Sequence, residues 1–360
     1  MNNRIIVGIS GGVDSSVTAL LLQKKGFDVE CVFMKNWEGN DDEYCTAEED
    51  YKDALAVCDH LGLPLRSVNF SQEYWDKVFQ HFIDEYKKGR TPNPDVLCNR
   101  EVKFKAFLDY ALELGAEKIA TGHYSIIDEL NGDFKLLKGL DPGKDQSYFL
   151  YLLGQNALSK SIFPIGDIEK KEVRKLAEES GLVNHAKKDS TGVCFIGEQK
   201  FFKEFLKKYI PSNPGMIETI DGKECGKHDG LMYYTIGQRK GLGIGGGYGK
   251  LEAPWFVAEK DLYRNVLIVA QGHTHPALYH KQLFADQIHW IRGLVPEDLS
   301  GLSAKIRYRQ SDQKCKITEL SQDRCTVVFD KPQFAITPGQ SVVFYRHNEC
   351  LGGAVIDCRK

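Results

Sequence analysis

The residues with the most chemical content stand where a β-branched run meets a helical pattern. Ile5–Ile9 leads into Ser10-Gly11-Gly12-Val13-Asp14-Ser15-Ser16, and apolar residues at helical spacing follow at once. Two glycines let backbone N–H groups approach an anion closely, and the positive end of the helix dipole adds to the attraction. The stretch therefore predicts a phosphate site. It is not a Walker A loop, because the GK[ST] ending is missing and no loop lysine is placed to reach β- and γ-phosphates. A plain glycine-rich turn with Ser15 as a helix cap accounts for fewer of these residues.

Two cysteines carry a second kind of chemistry. Cys98 lies in RTPNPDVLCNREVKF, where Pro92 and Pro94 interrupt regular structure, Asp95 precedes the thiol, and a helix is predicted from Glu101. A helix start with Arg100 and Lys103 close by favours an exposed thiol with some thiolate at neutral pH. Cys194 lies in KKDSTGVCFIG, a polar lead that reads as loop. Singly, each is as well explained as a stray loop cysteine. Beside a phosphate loop, they offer the nucleophile that an activated substrate requires.

These residues need a scaffold, and the first half of the chain alternates. Strand patterns at Ile5–Ile9, Val29–Met34 and Lys118–Thr121 interleave with helical patterns at Asp14–Lys25, Ala47–Leu61, Glu101–Leu114, Glu169–Ser180 and Glu198–Tyr209. That order predicts an α/β fold with a parallel sheet covered on both faces. Past Pro211 the helical spacing disappears. Short alternating segments replace it, among them Trp255–Ala258, Val266–Ala270, Ala304–Tyr308, Cys325–Phe329 and Ser341–Tyr345. We expect a catalytic domain over residues 1–210, a small β-rich domain over 211–280 and a C-terminal β-barrel over 281–360.

The chain has 360 residues, of which 42% are hydrophobic and 27% charged, and no apolar run approaches the ~20 residues of a membrane helix. Disordered, fibrous and membrane-spanning classes are excluded. No secretory or transit pattern opens the sequence, and ten cysteines without a CxxC pair read as a reducing, cytoplasmic setting rather than a disulfide scaffold or zinc site. His273, His275 and His280 lack a cysteine or carboxylate at useful spacing, so no bound metal is expected. A net charge of −3 excludes a general nucleic-acid coat, yet residues 301–360 hold ten Lys/Arg against six Asp/Glu. A basic face is therefore available there. The acidic segment 41–50 reads as a solvated loop, and Gly241–Gly249 as a linker or a seat for RNA phosphates beside Arg239 and Lys240.

SGGVDSS at this junction resembles the pyrophosphate loop of the N-type ATP pyrophosphatases, which transfer AMP to a substrate oxygen and so prepare it for substitution. Together with NPDVLCN, STGVCFIG, ATGHY (120–124), GKDQSYFL (143–150) and YTIGQRKGLGIGG (234–246), the chain resembles the bacterial tRNA-specific 2-thiouridylases over nearly its whole length. The resemblance implies ATP with Mg²⁺, a persulfide delivered by a relay protein or cysteine desulfurase, and a tRNA of the Lys, Glu or Gln type with a modifiable wobble uridine. It implies ATP contacts at Gly8, Ile9, Ser10, Gly11, Gly12, Val13, Asp14 and Ser15, with Met34 and Gly122 on the adenosine side. Asp14 is the one residue suspected as a Mg²⁺ ligand. Cys194 would carry the persulfide, Cys98 would attack it, and a transient Cys98–Cys194 disulfide would form. Asn93, Pro94 and Asp95 would meet the target base, with Asp95 as acid/base. His123, Lys144, Asp145 and Gln146, and from the barrel Arg307, Tyr308 and Gln340, would contact the tRNA. Two rivals stay open: an adenylating enzyme that transfers nitrogen, and an RNA-binding protein that keeps the loop without turnover.

Overall fold

β1 (Arg4–Ile9) is uncharged and buried from Ile5 onward because both of its faces are covered. Ile6 packs with Val32 and Ile119 in one core, whereas Ile5, Val7 and Ile9 pack with Val29, Cys31 and Phe33 in another. The structure, a computed structural model, describes residues 3–38, 47–189, 202–244 and 253–360. Around β1 run β2 (Asp28–Lys35), β3 (Leu65–Asn69), β4 (Lys118–Ala120) and, beyond the hairpin of β5 (Ser125–Leu130) and β6 (Asp133–Lys138), β7 (Ser161–Ile162). The five sheet strands are parallel, in the order β3-β2-β1-β4-β7. The chain leaves β1 toward β2 and β3, then returns to its other side at β4. That reversal opens a crevice at the carboxyl ends of β1 and β4, the place where doubly wound sheets hold ligands. Helix α1 (Val13–Lys24) starts in this crevice, and α2 (Ala47–Leu61) packs through Ala54, Val57 and Cys58 over the β2 side.

Two β assemblies follow. β8 (Gly215–Thr219), β9 (Glu224–His228), β10 (Trp255–Asp261) and β11 (Val266–Gln271) form a sheet in the order β10-β11-β8-β9. β12 (Tyr279–Trp290), β13 (Ser303–Lys305), β14 (Gln313–Leu320), β15 (Arg324–Phe334), β16 (Ser341–Arg346) and β17 (Glu349–Arg359) close into a barrel, because β12 pairs with both β15 and β17. The α/β sheet, the small β-rich unit and the barrel expected from the sequence are the observed architecture.

Two local expectations are corrected. The segment Ala304–Tyr308 does not continue as a strand past Lys305. Gln310 draws the chain into a turn there, its Oε1 accepting Ile306 N–H at 2.8 Å, and Arg309 takes a positive φ of 62°. Cys98 does not sit in a loop ahead of a helix. Helical backbone begins at Pro94 and runs through Cys98–Ala106 as π-helix to Glu113, with a kink at Phe104. Pro94 suits the first helical position, where its missing N–H costs nothing.

The β5–β6 hairpin was not foreseen, and it joins the two halves. Leu136 and Leu137 on β6 pair with Cys350 and Glu349 on β17, so the barrel sheet continues into the first domain. A second joint is ionic: Lys305 Nζ lies 3.0 Å from Asp145 Oδ2, and both side chains are buried. Gly139 N–H and Ser147 N–H donate to the other oxygen, Oδ1, at 3.2 and 3.1 Å. A third joint ties Thr91 N–H to Pro338 O at 2.9 Å. Removing the ammonium alone strands a buried carboxylate, so Lys305→Met should lower unfolding free energy by about 3–5 kcal/mol. Urea denaturation reads this, and adding Asp145→Asn should recover part of the loss.

Candidate functional site

The turn after β1 is shaped by its own side chains. Gly11 takes φ +71°, and a Cβ there would lie 2.2 Å from Asp50 O, so only glycine fits. Ser15 Oγ accepts Ser10 N–H at 3.1 Å and donates to Gly12 O at 3.0 Å. Ser16 Oγ donates to the same carbonyl at 2.9 Å. Gly12 occupies the N-cap of α1 and provides no side-chain cap, so the first-turn N–H groups stay directed at whatever enters the crevice. Gly8, Ile9 and Val13 are buried, so they can take part only through their main chain.

Gly122, one residue past Thr121 after β4, packs directly on this helix start. A Cβ on Gly122 would stand 2.8 Å from Asp14 C and Ser15 N. Gly8 lets Met34 and Phe107 close in, since its Cβ would meet them at 3.1 and 3.2 Å. The residues expected on the phosphate and adenosine sides therefore converge at one end of the sheet.

Four residues at this end were missed as site residues. Lys170, at the start of the helix Lys170–Glu179, donates to both Asp14 oxygens at 2.7 and 2.8 Å. Tyr124 O–H donates to Asp14 Oδ1 at 2.7 Å. Lys170 also meets Asp189 Oδ1 at 2.7 Å, and Lys144 and Arg174 reach Asp189 at 2.5 and 2.8 Å. Burial alone would raise the Asp189 carboxyl, but the bonds and charges of Lys144 and Lys170 outweigh it and bring it down to about 2. Asn184 Nδ2 donates to Gly11 O and Ser16 Oγ, each at 2.9 Å. A lysine, absent from the loop itself, thus reaches the loop's aspartate from 156 positions downstream. No spacing rule links such distant residues.

The Asp95–Cys98 turn sits beside the same crevice. Phe104 of that helix packs on His123 with ring centroids 5.6 Å apart, and Lys103 is close enough to act on both His123 and Asp95. Asp95 is open to solvent but crowded by surrounding protein. That dehydration raises its carboxyl against the pull of Lys103. His123 is buried and shares a 2.7 Å hydrogen bond with Thr121 Oγ1; burial, then Lys103, holds its pKa well below the ordinary value. It is neutral at physiological pH. Cys98 is only 3% exposed, not the open thiol that its sequence setting suggests. Cys194 lies outside the described residues.

The other expected contacts divide by burial. Lys144 is tied to Asp189 through its ammonium, and its carbonyl faces Tyr308 O–H at 3.5 Å. Asp145 is committed to the buried ion pair. Gln146 exchanges hydrogen bonds with Tyr124, its Oε1 accepting Tyr124 N–H at 2.9 Å. Arg307 is exposed, with its guanidinium 5.7 Å from the Phe334 ring, and Tyr308 packs on Phe149 at 4.5 Å. Gln340 turns inward and donates to Thr91 O at 2.8 Å. Among the described residues no cluster of three or more His, Cys, Asp or Glu is placed to hold a metal, and the Asp14 carboxylate is already engaged by Lys170 and Tyr124. Among the same residues no helix is long and apolar enough to cross a membrane.

Three family models match in series: a tRNA methyl transferase HUP domain over residues 3–198, a tRNA methyl transferase PRC-barrel domain over 203–271, and an aminomethyltransferase beta-barrel domain over 280–356. The chain is 58% identical over 360 residues to the tRNA-specific 2-thiouridylase MnmA of Methylococcus capsulatus, covering 99% of this chain and 97% of that one. It is 59% identical over 355 residues to the protein of the same name from Pseudomonas paraeruginosa, covering 98% and 94%. The match to that of Francisella philomiragia is 59% over 359 residues, covering 99% of each.

Gly122→Ala should displace the first turn of α1 and weaken inorganic pyrophosphate binding at least tenfold, on the order of 1.4 kcal/mol. Isothermal titration against the wild type checks this, with the melting temperature followed in parallel.

Proposed function

The chain belongs to the tRNA-specific 2-thiouridylase family, and on that premise we propose that it transfers sulfur to C2 of the wobble uridine of tRNAs of the Lys, Glu or Gln type, consuming ATP. The single observation carrying this is the full-length likeness to relatives of that name, on a fold whose strand–helix turn and Asp95–Cys98 turn share one crevice. The domain division at about residues 210 and 280 goes with it: chemistry in the first part, tRNA placement in the two β units.

The uridine 2-oxygen is a poor leaving group until it is adenylated. In the proposed first step that oxygen attacks the α-phosphorus of ATP, the bond to the β-phosphate oxygen breaks, and pyrophosphate leaves. The N–H groups of Gly11–Ser15 and the positive end of α1 stabilise the departing charge, with Lys170 one contact behind them. Asp95, whose carboxyl titrates above its usual range, accepts the uridine N3 proton. A divalent ion would offset charge on the triphosphate, and among the described residues no cluster is placed to hold one.

In the second step a sulfur carried on Cys194 as a persulfide ends on C2, and AMP departs. Cys98 forms a bond to Cys194 Sγ as the S–S bond of the persulfide breaks, leaving a Cys98–Cys194 disulfide that two external thiols reduce. The outer sulfur reaches C2 as released hydrosulfide or directly from Cys194; the balance is the same. Since Cys98 is buried, the Asn93–Cys98 turn opens for this step. Arg307 and Tyr308 on the barrel, with Lys144 and the neutral His123, flank the incoming anticodon.

Digestion of unmodified tRNA after incubation with Mg·ATP and a persulfide donor should yield 2-thiouridine by mass, and Cys98→Ser and Cys194→Ser should each abolish it. AMP formation on some other acceptor, with both serine variants active, favours nitrogen transfer and sinks the reading. RNA binding without AMP release sinks it as well. Asp95→Asn should lose about 10²–10⁴-fold in rate. In the wild type the rate falls as pH drops through the raised Asp95 pKa, and that acidic limb should vanish in the variant.

A further inference from the structure

The turn that bears Asn93, Asp95 and Cys98 cannot build itself. In Thr91-Pro92-Asn93-Pro94 two of four residues have no N–H, so the segment is short of internal donors for its own carbonyls. The barrel supplies what is missing. Gln340 Nε2, just ahead of β16, donates to Thr91 O at 2.8 Å and to Pro92 O at 3.3 Å. Pro338 O accepts Thr91 N–H at 2.9 Å. Gly339, at φ +90°, lies so close that a Cβ would stand 2.9 Å from Thr91 O and 3.0 Å from its N.

The same barrel edge grips the turn from its other side. Ser341 O accepts Tyr148 O–H at 3.0 Å, and that hydroxyl also meets the Asn93 side chain. Arg90 Nη1 and Nη2 reach Asp357 at 3.0 Å and Ile356 O at 3.1 Å. Gly339 N–H donates to Ile356 O, and Ile356 N–H to Gln340 O, each at 2.8 Å, so the clamp is itself stitched into β17.

The geometry points to Gln340 as a positioning residue for the Asn93–Cys98 turn: its amide holds the prolyl segment's carbonyls before any RNA arrives, so the barrel shapes the reactive turn of the other domain. In the RNA-free protein its side-chain amide donates to the carbonyls of Thr91 and Pro92. In this assignment the activity readout rests on the thiolase reading, but the behaviour of the RNA-free turn does not.

The test uses the full chain with Gln340→Ala, Gln340→Glu, which keeps size but cannot donate, and Gln340→Lys, which restores a donor of sufficient reach. Without RNA, hydrogen exchange over residues 91–98 and iodoacetamide labelling of Cys98 should rise at least tenfold in the first two and return toward wild type in the third. With tRNA, kcat should fall about 100-fold, the cost of roughly 1 Å misplacement, while KM for tRNA stays within about twofold. Melting temperature screens for global loss, and if Gln340→Ala fails to fold, the Glu and Lys pair still decides. Wild-type exchange and labelling in the RNA-free variants, with KM for tRNA raised instead, would overturn the assignment and make Gln340 an RNA contact. If the wild type makes no 2-thiouridine but exchange still rises in the variants, the functional reading fails and the positioning role stands.

Discussion

The carboxylate of Asp145 is claimed from both domains at once. Two backbone N–H groups of the first domain donate to one oxygen, and the buried ammonium of Lys305 from the barrel meets the other. A buried ion pair gains little over an apolar substitute in net stability, because desolvating both charges consumes most of the Coulombic return. What it does provide is a defined contact between the two bodies, with both Asp145 oxygens occupied. The β6–β17 pairing and the Thr91–Pro338 bond then fall into register around it. With the barrel so fixed, the prolyl turn before Cys98 has a wall to rest on.

The α1 end of the crevice obeys a different rule, that of charge packed densely around a few acids. Asp14 and Asp189 are bridged by one ammonium, and two further cations reach Asp189. A carboxylate brought down to about 2 stays ionised across the biological range, so the cluster keeps a constant charge pattern. On the proposed reading, an anion entering here would meet cations already held in place, at a site where reorganisation is small.

What could be read from the chain beforehand follows from how local each signal is. A strand run into SGGVDSS is a local pattern, and it located β1, the turn and α1. The alternation of periods gave the fold class, because burial on both faces leaves a continuous apolar run in β1. Lys170, Asn184 and Asp189 meet the turn only through the folding of the sheet; nothing marks Lys170 or Asn184 locally, and Asp189 is marked only as part of KKDSTGVCFIG. Pro92 and Pro94 read as breakers and so predict a loop at Cys98, whereas Pro94 starts the helix. The β5–β6 hairpin does carry a local mark, Asn131-Gly132 at its turn with both residues at positive φ, but charges mixed into both strands of Ser125–Lys138 blur the alternation around it, and its pairing with β17 is distant. Strand pairing at such separation leaves no trace in either segment alone.

That separation has a consequence during synthesis. β6 emerges from the ribosome about 210 residues ahead of β17, so at roughly 5–20 residues per second its free edge waits for ~10–40 s. An unpaired edge is a template for pairing with other chains. Asp133, Lys135 and Lys138 line this one, and in the finished protein Lys135 meets Glu349 while Lys138 meets Asp312. The charges that fasten the two halves at the end are the ones that keep the nascent strand from joining the wrong neighbour before its own has been made.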